Sequence, residues 1–88
     1  MNKAKLLKEY RKKARTEETE IENWLKSLIR KDQEAIIEYE LDINWDSNGV
    51  GNKAKIVWLF GDIFDHSVIE SVYNRIEKAW EKWAESGE

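Results

Sequence analysis

Between Ile36 and Gly61 apolar and polar residues alternate on either side of Asn48-Gly49. Alternation predicts strands, and Asn-Gly favours a type I′ hairpin turn, because both central residues must tolerate positive φ. With that dipeptide at the turn centre, Leu41 faces Ile56, Tyr39 faces Trp58 and Ile37 faces Phe60. Ile43, Trp45 and Ala54 extend this apolar face. The opposite face pairs Asp42 with Lys55, Asn44 with Lys53, Glu40 with Val57 and Glu38 with Leu59. A slip of one residue would exchange the two faces, so turn and pattern support the same register.

The flanking segments follow a helical period. Residues 3–15 carry Leu6, Leu7, Tyr10 and Ala14 among basic residues, and Ile21, Trp24, Leu25, Leu28 and Ile29 continue at helical spacing to about Lys31. Thr19 with Glu22 fits a capping box. No Gly or Pro interrupts residues 3–31, so one long helix is favoured over two helices bent near Thr16. Ser67 with Glu70 is a second capping box, with Asp65 as the alternative cap. The helix it opens carries the stripe Ile69, Val72, Tyr73, Ile76, Ala79, Trp80 and Trp83 as far as about Glu85. The expected fold is α+β, in the order helix, strand, strand, helix (αββα). Two helices pack on one face of a two-stranded antiparallel sheet. The segments are a basic N-terminal helical arm over 1–15, a helix over 16–33, the hairpin over 36–61 and a C-terminal helix over 65–86. Such a sheet has two open edges and exposes Val57 and Leu59, which predicts its extension by dimerisation or its cover by a partner.

Eighty-eight residues make one domain with a single modest core. Without cysteine there is no disulfide framework, thiolate metal site or thiol nucleophile. No apolar run approaches the roughly 18 residues of a membrane span. The basic N-terminus is not followed by an apolar segment, so no secretory signal is expected and the expected location is cytoplasmic. Abundant Lys, Ile, Glu and Asn with no Pro match the composition of an AT-rich bacterial or phage genome. The net charge of −3 hides an asymmetry. Lys3, Lys5, Lys8, Arg11, Lys12, Lys13 and Arg15 crowd the first fifteen residues against Glu9 alone. The other 73 residues hold eight of the fifteen basic side chains and seventeen of the eighteen acidic ones.

Candidate chemistry is sparse. Glu38, Glu40 and Asp42, with Asp46 near the strand end, would share one strand face and resemble a cation site, but Lys53 and Lys55 lie opposite. A solvated or partner-facing surface is the better reading of this stripe. Asp46-Ser47-Asn48-Gly49 resembles a calcium loop, yet Val50 takes a ligand position and no Glu closes it. Gly49-Val50-Gly51-Asn52-Lys53 lacks the spacing and following helix of a phosphate loop. His66, the single histidine, has no nucleophile at a recognisable spacing and reads as a first-turn residue. Trp24, Trp80 and Trp83, with Tyr39, Trp58 and Phe60, read as core. The expectation is no catalytic residue, no metal and no cofactor: not an enzyme.

Two function classes remain. The first is a non-enzymatic protein-binding module, an acidic inhibitor or adaptor from a phage or mobile element that targets a host nucleic-acid-handling or defence protein. Its partner surface would be Glu38, Glu40, Asp42, Val57 and Leu59, with the carboxylates steering it toward a basic nucleic-acid channel. In size, acidity and compactness the chain is similar to the small inhibitors phages make against host defence, such as anti-CRISPR proteins. General features carry that similarity, and no motif does. The second class is a small dimeric nucleic-acid-binding regulator whose Lys3, Lys5, Lys8, Arg11, Lys12, Lys13 and Arg15 contact phosphates. The first is preferred. A homo-oligomer is expected in either class.

Overall fold

The chain of residues 2–46 and 51–86, described by a computed structural model, is built from helices alone. Among the described residues these are α1 (Lys3–Lys13), α2 (Glu18–Ser27), α3 (Arg30–Asn44), α4 (Gly51–Phe60) and α5 (His66–Ser86). The expected hairpin is absent: its first limb is the C-terminal part of α3 and its second limb is α4. Asn48-Gly49, the expected turn, lies outside the described residues. The α+β, αββα fold is therefore corrected to an all-α one. The sheet edge that would have paired two copies has no counterpart among the described residues.

Short apolar-rich segments satisfy both periods, and packing decided between them. Ile37 and Leu41 stand one turn apart on α3, and with Ile36 they are at most 2% exposed. On α4, Asn52, Ile56 and Phe60 recur every fourth residue and are all buried. Glu34, Ala35, Glu38, Glu40 and Leu41 are good helix formers, and Arg30 Nε pairs with Glu34 at 3.0 Å one turn on.

Side chains end helices where no Gly or Pro does. After α1, the Thr16 hydroxyl donates to the Lys13 carbonyl at 2.6 Å, and the Arg15 and Thr16 amides close tight turns on Lys12 and Lys13. Residues 3–31 thus hold α1, α2 and the first two residues of α3 rather than the favoured single helix. The α2 N-cap is Glu17, which makes no side-chain cap, and Thr19 lies inside α2. Leu28 and Ile29 then extend the chain before α3, and Gln33 reaches back to the Leu25 carbonyl at 3.4 Å. Asp65 opens α5: its carboxylate accepts the Ser67 amide at 2.9 Å. That bond lowers the Asp65 pKa below the ordinary carboxylate value.

α3 is the hub, packing against α5, α1 and α4. Its buried side chains share one cluster with Leu6 and Tyr10 of α1, Leu25 of α2, Ile56 and Phe60 of α4, and Val68, Ile69, Val72 and Ile76 of α5. Phe64, in the turn before α5, stacks on Phe60 at 5.1 Å. α1 is basic, yet Leu6 is wholly buried, so this segment is part of the core. The 21 residues of α5 span roughly 31 Å at the helical rise, but its last buried residue is Ile76. Beyond Ile76 it carries no buried residue, although Trp80 still packs against the core, and the molecule measures 43 Å by 24 by 22 Å. None of the described helices is long and apolar enough to cross a membrane.

Candidate interaction surfaces

The five consecutive apolar residues Ile56-Val57-Trp58-Leu59-Phe60 cover more than one helical turn, so a helix packed on one side cannot bury them all. Ile56 and Phe60 take the inward positions and Val57 is half-buried. Trp58 is 84% exposed and Leu59 38%. Beside them runs a groove of about 180 Å³ between α3 and α4. Leu41, Ile56 and Leu59 line it with Trp58, and Glu40, Asn44, Asn52 and Lys55 supply its polar groups. Trp58 was expected in the core opposite Tyr39; the helical period turns it out to solvent.

The acidic stripe is divided in the same way. Residues two apart share a strand face but lie about 200° apart on a helix. Glu38 pairs with Arg75 at 3.1 Å and Lys3 at 3.9 Å. Glu40 turns the other way, accepting from Tyr10 Oη at 2.6 Å and from Asn44 Nδ2 at 3.0 Å. Burial first, and then this bond to Glu40, push the Tyr10 pKa far above the ordinary phenol value. Asp42 is exposed, and partial desolvation and the nearby Glu38 charge raise its pKa. Of the five expected partner-binding residues, only Glu40 and Leu59 meet in the groove. Glu38 and Asp42 lie elsewhere on α3, and Val57 is absent from the groove lining.

At the overhanging end of α5 the remaining aromatics gather. Trp45 stacks on Trp80 with centroids 5.9 Å apart and planes 4° from parallel, and it lies 6.0 Å from Tyr73. Trp83 stands edge-on to Trp80 at 5.6 Å and is 65% exposed, so it too departs from the expected core role. Tyr73 donates to Glu77 at 2.8 Å, which together with partial burial raises its pKa. Lys53, expected opposite Asn44, instead lies over the Tyr73 ring and pairs with Glu70 at 2.5 Å.

A residue the sequence reading passed over joins these regions. Asn52 is 3% exposed; its Oδ1 accepts from the Asp46 amide at 3.0 Å and its Nδ2 donates to the Asp46 carbonyl at 2.9 Å. The two bonds clip the chain after α3 to the first turn of α4. The available signal was the spacing Asn52, Ile56, Phe60, which a strand reading obscures.

The basic residues expected to contact nucleic acid stand on or just after α1. Lys3, Lys5, Lys8, Arg11, Lys12 and Arg15 are exposed, while Lys13 is half-buried with its ammonium 5.7 Å from the Trp24 ring centroid. His66 is the exposed first residue of α5. The calcium-loop and phosphate-loop stretches fall partly outside the described residues. No protein-family model, curated protein or solved structure matches this chain.

Proposed function

We propose that the protein is a non-enzymatic module that binds another protein through the α3–α4 groove and the adjoining face of α4. The supporting observation is Trp58: a tryptophan left 84% exposed beside an apolar groove is the anchor type that dominates protein interfaces. Glu40 and Asn44 give the groove polar groups that orient a ligand. The acidic excess beyond residue 15 supports a basic partner surface, with long-range attraction speeding encounter. An acidic inhibitor or adaptor seated in the nucleic-acid channel of a host protein, of the kind phages and mobile elements make, is the form this charge supports. Affinity capture from a bacterial host lysate with the wild type and Trp58→Glu, both checked for helicity, tests the reading. One discrete protein retained by the wild type and lost with Trp58→Glu is expected. Equal capture by both would remove the groove from consideration.

One observation favours the second reading. Leu6 and Tyr10 fix α1 to α3, so its exposed cations stand together on a docked helix, available to neutralise phosphates. Titration with duplex and single-stranded DNA and RNA at two salt concentrations decides it. Salt-steep binding abolished by Lys5→Gln, Lys8→Gln, Arg11→Gln and Lys12→Gln together would favour the regulator.

A further inference from the structure

Beyond the groove, the overhanging end of α5 forms an open pocket of about 480 Å³ lined by Trp80, Trp83, Ala79 and Asp42. We propose that this pocket binds a quaternary ammonium group. Trp80 and Trp83 meet at 76°, two indole walls at nearly a right angle, with the methyl of Ala79 beside them. A near-spherical trimethylammonium touches both walls at once, whereas a planar guanidinium stacks on only one. Asp42, on α3, adds a carboxylate to a lining otherwise made of two indoles and a methyl group. A weakly hydrated cation is the ligand that both the electron-rich ring faces and the carboxylate attract.

The corner is braced before any ligand arrives. Trp45 stacks on Trp80 nearly parallel, and Tyr73 lies beside Trp45, so the Trp80 wall is held in place. Elsewhere the protein sets its own ammonium groups on aromatic rings, Lys13 on Trp24 and Lys53 on Tyr73. Among the described residues no lysine or arginine lies over Trp80 or Trp83. Trp83 packs edge-on to Trp80 but is 65% exposed, past the last buried residue of its helix.

The test is a ¹H–¹⁵N NMR titration of the full chain, following the five indole N–H signals at constant ionic strength. Choline chloride, a peptide carrying trimethyllysine, the same peptide with unmodified lysine, and 3,3-dimethylbutanol, the neutral analogue of choline, are the probes. Saturable shifts of Trp80 and Trp83 with a trimethylammonium probe, and none with the neutral analogue, are expected. The tighter of choline and the peptide identifies the carrier. Trp83→Ala weakens binding by about two- to fivefold, the scale of a lost cation–π wall at an exposed site. Asp42→Asn weakens it several-fold, and Trp58→Ala leaves it unchanged. Absence of saturable shifts, or equal shifts with the neutral analogue or unmodified lysine, would overturn the proposal. Trp83 is exposed and lies outside the buried cluster, and an unchanged thermal melt for Trp83→Ala shows that a change in affinity reads the pocket itself.

Discussion

Tyr10 of α1 donates a 2.6 Å hydrogen bond to Glu40 of α3, a residue thirty positions away. The phenol ring is 7% exposed and packs edge-on to Tyr39 at 6.2 Å, so the basic first helix is tied to the hub by one buried ring and one charge-assisted bond. Tyr10→Phe keeps the ring and removes the bond. A loss of about 2 kcal/mol is expected, the scale of hydrogen bonds to charged groups, measured by urea unfolding.

The same bond sets an alkaline limit. The folded protein holds the Tyr10 proton well above the ordinary phenol pKa, whereas the unfolded chain releases it near pH 10. The unfolded state therefore binds fewer protons above that pH, and stability falls as pH rises. Tyr73 contributes in the same direction. Thermal unfolding between pH 8 and 11 will show a shallower decline for Tyr10→Phe than for the wild type.

At the acid end the sign reverses. Asp65 is held below the ordinary carboxylate pKa by the Ser67 amide, so its contribution is present above that ordinary value and disappears as pH falls through the depressed one. Asp65→Ala will be less stable at neutral pH, and the gap will close in strong acid. Asp42 runs opposite: its raised pKa means that its charge opposes folding, so Asp42→Asn will gain stability at neutral pH. That gain will fade as pH drops to the ordinary carboxylate range. Paired thermal melts from pH 2 to 7 separate the two.

Asn52 makes two bonds to the backbone of Asp46 from a nearly buried position. Asn52→Ala removes both bonds from a buried site and will cost about 2 kcal/mol. It will also raise hydrogen exchange at Asp46 and in the first turn of α4 more than in α1.

Deleting residues 1–15 would test the nucleic-acid reading only if that segment were an appendage. Leu6 is fully buried, and Leu6→Ala alone is expected to cost about 3 kcal/mol. The truncation will therefore lose cooperative unfolding by circular dichroism, while exposed charge substitutions at Lys5, Lys8, Arg11 and Lys12 will preserve it.

The sequence by itself determined the helical ends of the protein. Leu7, Tyr10 and Ala14, and then Ile69, Val72 and Ile76, recur at intervals of three and four that only a helix brings to one side, and Asp65 is readable as the alternative cap to Ser67. It also determined the split between a basic start and an acidic remainder. The middle of the chain was decided by tertiary structure. Ile37, Leu41, Ile56 and Phe60 fit a strand face and a helix face equally well, because intervals of four are common to both periods. The competing residues, Tyr39 and Trp58, settle the matter only once neighbours exist. Helical packing buries Ile36 beside Ile37 and turns Trp58 outward. The expected partner-binding residues followed that choice: a period of two unites Glu38, Glu40, Asp42, Val57 and Leu59, whereas the helical period sends them to different sides and leaves Glu40 and Leu59 together in the groove.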